Sequence, residues 1–296
     1  MGHWVAVTKH VFQRRYSSVD VSIVVIAGST GIVLIDTGGS PAEADELLGD
    51  LNEQFGLPVV AIINTHAHYD HCFGNHRMVE RTAAPVYGHH LVGEHFRQYE
   101  QPRLSAQQAN PLLEPEMQWD NVHLLEPTHP VHKRAVIELD DNCIELLPLA
   151  PAHSSTNLVV FLPQQRIWIV GDIVEESALP MYSAGSDTFG WPAALESLVG
   201  SMIDDDLIIP GHGSVVDRGF VIQQLELLQH MACSVRQGWI QGLSESEVIR
   251  GLTKKTPFSQ TAIESAVTQG YKHLSNGRRA TCLTSPTTSI PNATTN

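Results

Sequence analysis

The segment His66-Ala67-His68-Tyr69-Asp70-His71 gathers four metal-ligating side chains within six residues, at positions i, i+2, i+4 and i+5. Imidazole and carboxylate donors of this kind suit Zn2+, Fe2+ and Mn2+ alike. In an extended stretch that then turns, period 2 points His66 and His68 to one side, and Asp70 and His71 at the turn face a neighbouring point. One loop can therefore feed two adjacent ions. The cluster is internal and non-repetitive, unlike a purification tag, and it follows a short apolar run, which suits a metal site better than scattered surface histidines. Three further residues share its placement, each just past a predicted strand: His153, Asp172 in Gly171-Asp172, and His212 in Pro210-Gly211-His212-Gly213. Singly, each reads as a turn residue. In this order behind the first motif, they read as completing ligands.

The elements that must hold these residues are legible from periodicity and turn chemistry. Val19–Ala27 and Ile32–Ile35 are β-branched runs joined at Gly28-Ser29-Thr30-Gly31, a predicted hairpin. Ser40-Pro41-Ala42-Glu43 is a capping box opening a helix that runs through Leu47, Leu48, Leu51 and Phe55 to Gly56. Leu57–Ile63 reads as a buried strand delivering the chain into Asn64-Thr65-His66, with a helix following at Asn75–Thr82 and a short strand at Pro85–Tyr87. Strands are expected again at Ala135–Leu139, Cys143–Leu149, Asn157–Leu162, Arg166–Val170 and Asp206–Ile209. After Gly213 the pattern turns helical: one helix carries Val221 to Val235, a second capping box stands at Ser244-Glu245-Ser246-Glu247, and a last helix carries Ile263 to Leu274. Strands dominate first and helices later, so the class is mixed α/β with a helical C-terminal extension. The expected division is a core at 1–213, a helical part at 214–277 packed on it, and a disordered tail at 278–296. Residues 89–132 interrupt the core as a polar, proline-bearing, lid-like insert containing His89, His90, His95, His123, His129 and His132.

Composition narrows the function. The 296 residues hold 32 Asp and Glu against 18 Lys and Arg, a net charge of −14. That balance argues against a nucleic-acid partner, which needs cations to displace phosphate counterions, and against an anionic membrane surface. No run approaches the ~18 apolar residues of a membrane span. The four cysteines are far apart and form no CxxC pair. The first residues lack the apolar core of a signal peptide, so a cytoplasmic protein acting on a small molecule is expected, with its oligomeric state unencoded.

The ordered set of motifs, with Ile35-Asp36-Thr37-Gly38 upstream, resembles the five motifs of the metallo-β-lactamase superfamily over about residues 20–215. The resemblance implies a four-layer αβ/βα sandwich with a metal site at one edge. It implies that His66, His68 and His153 hold one ion, that Asp70, His71 and His212 hold a second, that Asp172 bridges them, and that Asp36 supports the site from behind. Asp at 172 and His at 68 are similar to the dinuclear hydrolases, such as hydroxyacylglutathione hydrolase and the lactonases, rather than the flavodiiron branch. One departure stands out: the third motif, His153-Ser154-Ser155-Thr156-Asn157, lacks the glycine that usually follows the histidine.

The chemistry so implied is hydrolysis of an ester, thioester, lactone or related bond by a hydroxide bridging two divalent ions, zinc on softness and availability, with iron or manganese as substitutes. Asp70 would orient the nucleophile and relay its proton. The alternatives are a mononuclear-iron enzyme like the persulfide dioxygenases, a phosphodiesterase or nuclease, and a binding module without catalysis. β-Lactams are not the expected substrate, because enzymes acting on them are normally exported. The insert and the loop bearing Glu175, Glu176, Met181, Tyr182, Phe189 and Trp191 are expected to wall the site; Tyr69 reads equally as substrate contact or cover, and Lys254-Lys255 as a solvated pair.

Overall fold

The computed structural model describes residues 3–16 and 19–283. The first half of the chain runs β1 (Val5–Ala6), β2 (Val11–Tyr16), β3 (Val21–Ala27), β4 (Ile32–Ile35), α1 (Pro41–Gln54), β5 (Val59–Ile63), α2 (Tyr69–Cys72), α3 (Asn75–Thr82) and β6 (Val86–His89). The insert follows as α4 (Val92–His95), a π-helical turn (Phe96–Glu100) and α5 (Gln101–Ala109). Then come β7 (His129–Val131), β8 (Ala135–Leu139), β9 (Asn142–Pro148), β10 (Leu158–Leu162), β11 (Ile167–Glu175), α6 (Gly190–Ser201) and β12 (Leu207–His212). Three helices close the chain: α7 (Arg218–Ile240), α8 (Glu245–Thr253) and α9 (Gln260–Leu283).

Alternation along the strands sorts their side chains into layers. On β3, Val24 and Ile26 face one apolar cluster, while Val21, Ile23 and Val25 face another. The first cluster lies between two sheet halves, where Val33, Ile35 and Ile63 meet Ile144, Val160 and Ile169. The second packs under α1 and α3, through Leu47, Leu51 and Met78. A third covers the far face of the other half, where Val159, Phe161, Trp168 and Val170 meet Leu195, Leu225, Leu228, Ile263 and Val267 of α6, α7 and α9. Helix, sheet, sheet, helix: this is the four-layer αβ/βα sandwich. The hydrogen-bonded strand order is β7-β6-β5-β4-β3-β12-β11-β10-β9-β8, with β2 also on β3 and β1 on β2. The two halves join through the pair His212↔Val21. That seam falls on a candidate ligand.

Several expectations shift in detail. In α1, Ser40 accepts from Glu43 N at 3.2 Å as the cap, but the Glu43 carboxylate takes Gly39 N at 2.7 Å, one residue upstream of a capping box. The box at Ser244 and Glu247 forms as expected. β11 does not stop at Val170 but continues through Asp172 to Glu175, with register shifts against β12 that let it bend past the site. The insert is no loose lid. Phe96, Leu104, Trp119 and Val122 share an apolar cluster with Ala67, Cys72 and Phe73 of the histidine loop, and Trp119 Nε1 donates to Gly39 O at 3.0 Å. The tail expected from residue 278 begins inside α9, which runs to Leu283; residues 284–296 lie outside the described residues. No helix among the described residues is long and apolar enough to cross a membrane.

Candidate metal centre

β5 delivers its chain end into a buried polar clamp that shapes the histidine loop. Asn64 Nδ2 donates to Asn75 Oδ1 (3.0 Å) and Asn75 Nδ2 returns a bond to Asn64 Oδ1 (2.7 Å), while Thr37 Oγ1 donates to Asn75 Oδ1 (2.9 Å). His68 then caps α2, so Asp70 and His71 occupy its first turn. The glycine missing after His153 is replaced by side chains. Ser154 N donates to Asn157 Oδ1 (2.7 Å), Thr156 N to Ser154 Oγ (3.0 Å), and Ala67 N to Thr156 Oγ1 (3.0 Å). No residue from 153 to 157 has positive φ, so this turn needs no glycine. Two glycines elsewhere are required. Gly171 sits at φ +55, and a Cβ on Gly211 would lie 1.8 Å from Asp172 Oδ1.

The seven candidate ligands converge. His66 Nε2 and His153 Nε2 approach His68 Nδ1 to 3.0 and 2.9 Å. A single ring nitrogen donates once or accepts once, so both contacts cannot be hydrogen bonds together; three lone pairs aimed at one point suit a cation. Asp172 Oδ2 closes that group, 3.6 Å from His66 Nε2 and 3.5 Å from His153 Nε2. On its other side the same oxygen lies 3.3 Å from His212 Nε2, which is also 3.3 Å from Asp70 Oδ2. His71 Nε2 and Asp172 Oδ1, 3.1 Å apart, are both buried without a hydrogen bond. Orphaned groups so close are costly unless a cation stands between them. The donors therefore suit divalent metal, His66, His68, His153 and Asp172 forming one group and Asp70, His71 and His212 a second, with Asp172 also close to His71 and His212.

Neighbours orient the rings. Asp36, held at φ +64, accepts from His71 Nδ1 (2.8 Å), Thr65 N (2.8 Å) and Thr65 Oγ1 (2.7 Å). His68 Nε2 donates to Ala184 O and His212 Nδ1 to Val19 O, both at 2.9 Å. Burial pushes the His66 and His68 imidazoles down, and His153 to about 3, leaving neutral rings with free lone pairs. At His71 and His212 burial acts in the same direction, but Asp172 and Asp70 outweigh it; His71 rises well above its ordinary value and His212 to about 12. That half of the centre is a field for positive charge. Burial, with Asp172, pushes the Glu175 carboxyl well above the usual range.

The cluster forms the floor of a cavity of about 400 Å3, walled by Tyr69, Tyr99, Glu100, Arg103, Glu175 and Met181. Tyr69 both lines it and packs on Trp119. Other expected wall residues lie elsewhere. Tyr182 and Trp191 are core, Phe189 packs on the His273 ring, and Glu176 accepts from Ser214 N. Lys254 and Lys255 are exposed and do not line the cavity. Of the insert histidines only His95 stands near the centre, within 4.8 Å of His68 and Glu100 by their ligand-type atoms. His90 stacks on His132 and lies tilted against His89, as His129 does against Tyr87. The insert expected to wall the site does so through Tyr99, Glu100 and Arg103, which a π-helical turn and its exit bring in and which the sequence did not single out.

The profile of the metallo-beta-lactamase superfamily matches residues 18–212. The chain belongs to the metallo-beta-lactamase superfamily. The metallo-beta-lactamase type 2 of Bacillus cereus is 26% identical over 209 residues, covering 69% of this chain and 72% of that protein. A probable metallo-hydrolase of Bacillus subtilis is 24% identical over 206 residues, 61% of this chain and 75% of that one. Among solved structures, the stereoselective inverting sec-alkylsulfatase Pisa1 from Pseudomonas sp. has a TM-score of 0.75 at 17% identity, covering 97% of this chain and 52% of that chain. At that identity the likeness is one of fold, and it reaches across the C-terminal helices. As a member of this metallo-hydrolase superfamily the chain is an enzyme, and its His/Asp cluster is its candidate metal-binding centre.

Proposed function

We propose that this metallo-beta-lactamase superfamily enzyme hydrolyses a small ester, thioester or lactone at a dinuclear centre. His66, His68 and His153 would hold the first divalent ion, Asp70, His71 and His212 the second, and Asp172 both. The observation that carries this reading is the pair of ligand clusters meeting at Asp172 on the floor of one cavity. Divalent ions held there, zinc in our reading, would supply Lewis acidity and a water deprotonated near neutral pH.

The chain's own residues do the rest. Asp70 lines the cavity with its Oδ2 3.3 Å from His212 Nε2, where it can take a proton from the attacking water and return it to the leaving group. Tyr69, Tyr99 and Met181 give apolar walls that exclude water and seat the substrate's carbon skeleton. Arg103 is held by Glu114 (Nε to Oε1, 2.8 Å) over the Tyr69 ring, a fixed wall rather than a mobile cation. A cavity of about 400 Å3 and a net charge of −14 suit a small-molecule substrate and no nucleic acid. Separated free cysteines suit a reducing compartment, the cytoplasm in our reading.

The test is elemental analysis of the purified chain, followed by a panel of carboxylic esters, thioesters, lactones, a phosphodiester, a β-lactam and a secondary alkyl sulfate. We expect two divalent ions per chain, and turnover of an ester-type substrate lost on chelation and regained on adding metal. His68→Ala should abolish turnover while leaving the fold largely intact. One iron per chain with oxygen consumed alongside glutathione persulfide would overturn the proposal, as would undiminished hydrolysis by a metal-free His68→Ala protein.

A further inference from the structure

Four of the five histidines in the proposed ligand set have their outward ring nitrogen engaged. His71 Nδ1 meets Asp36 Oδ2 at 2.8 Å, His68 Nε2 meets Ala184 O at 2.9 Å, His212 Nδ1 meets Val19 O at 2.9 Å, and His66 Nδ1 meets Thr65 Oγ1 at 3.2 Å. His153 is the exception. Its Nε2 points into the cluster, and its Nδ1 is buried with no hydrogen-bond partner. When Nε2 gives its lone pair to a cation, the neutral ring carries its proton on Nδ1, and that N–H needs an acceptor.

Glu175 stands beside it, with Oε1 3.6 Å from His153 Nδ1. Three residues beyond Asp172 on β11 and after a register shift, Glu175 is only 6% exposed and lines the cavity. Its position is set from two directions. Oε1 accepts from Met181 N at 3.2 Å, and its backbone N donates to Gln224 Oε1 at 3.0 Å. Gln224, buried on α7, also donates from Nε2 to Ile173 O at 2.7 Å. On the other side of His153 the Trp191 ring stands edge-on, centroids 5.0 Å apart, which limits the swing of the imidazole. The hydrolytic scheme above gives Glu175 no task.

We propose that Glu175 is the positioning residue of His153: its carboxyl Oε1 accepts a hydrogen bond from Nδ1–H once a cation beside Asp172 offsets that carboxylate's charge, aims Nε2 at the first ion, and is held through its backbone by Gln224 of α7. This rests on the metal-centre reading. A carboxylate behind a ligating imidazole fixes its tautomer and raises its basicity, and loss of such a group typically weakens metal binding by 10–100-fold. The C-terminal helices thereby take part in building the centre, although they supply no ligand.

The test is zinc affinity of the full chain by competition with a chromophoric chelator, together with the thermal midpoint of the metal-stripped protein. Glu175→Leu should bind the tighter zinc equivalent about 10–100-fold more weakly. The stripped variant should keep or raise its midpoint, because it loses a buried carboxyl that has no cation. Glu175→Gln, whose amide oxygen still accepts from Nδ1, should recover most of the affinity, and Gln224→Leu should weaken binding in the same direction by less. If the leucine variant does not fold, Glu175→Ala makes the same comparison. Unchanged affinity in Glu175→Leu, or equal losses for Leu and Gln, would overturn the inference and leave the dinuclear reading standing. A wild-type chain that binds no divalent ion would overturn both.

Discussion

At the residue scale the two halves of the centre differ in electrostatics although both are built from histidine and aspartate. Burial holds His66 and His68 low, and His153 near 3, while Asp172 and Asp70 lift His71 and bring His212 to about 12. Without metal, burial therefore favours neutral rings in the first trio, while Asp172 and Asp70 favour protonation at His71 and His212. In the proposed dinuclear centre metal must displace those protons, so an ion on the His71–His212 side should release more protons than one on the His66–His68–His153 side and lose affinity more steeply as pH falls. Calorimetric titration in buffers of different ionisation heat measures this; equal release for both equivalents would contradict it. Gly211 is equally local in its effect. A methyl group 1.8 Å from Asp172 Oδ1 forces that carboxylate aside, so Gly211→Ala should lower metal content and cut turnover by about 100-fold without removing any candidate ligand. Four of the seven candidate ligands were legible in the sequence because they cluster in one loop, and the other three because each follows a predicted strand. The role of Gly211 was not, since it depends on how closely β12 approaches β11.

At the element scale, turns and strand ends carry the site. The turn after His153 closes without glycine because Ser154, Thr156 and Asn157 spend their side chains on backbone groups, all of them buried. Thr156 also accepts from Ala67 N, tying this turn to the histidine loop. Thr156→Val leaves that N–H buried and unpaired, at a cost of about 1–3 kcal/mol. The melting midpoint should fall by about 2–4 °C per kcal/mol, with Thr156→Ser restoring most of it. An unchanged midpoint in the valine variant would show that the tether contributes nothing. The strand runs of β3, β4, β5 and β10 were legible within a residue or two, because β-branched residues bounded by turns report a buried strand. The end of β11 was misplaced: Gly171 and Asp172 look like a turn, yet the pairing with β12 carries the strand through them. The insert lines the cavity through Tyr99, Glu100 and Arg103. Its polarity suggests a lid, while Phe96, Leu104, Trp119 and Val122 anchor it to the histidine loop.

At the scale of the whole molecule, the third apolar cluster makes the C-terminal helices part of the fold. Val159, Phe161, Trp168 and Val170 lie under Leu225, Leu228, Val235, Ile263 and Val267, so a chain ending at Gly213 would expose the part of that sheet face that α7 and α9 cover. Such a truncation should be recovered as aggregate rather than monodisperse protein in size-exclusion chromatography; a folded, soluble 1–213 fragment would contradict the layer argument. By itself the sequence determined the ligand chemistry, the mixed α/β class, the helix caps, and an acidity unsuited to polyanions. Each of these depends on a residue's own type or its near neighbours, and periodicity records them directly. Tertiary structure alone decided which loops meet. His66, His153, Asp172 and His212 lie far apart in the chain, and they converge because strand pairing across the His212↔Val21 seam and the bend in β11 set their positions. Glu175 lines the cavity as its place after Asp172 suggests, but the register shift that turns it toward His153, like the π-helical turn that brings in Glu100, has no local pattern.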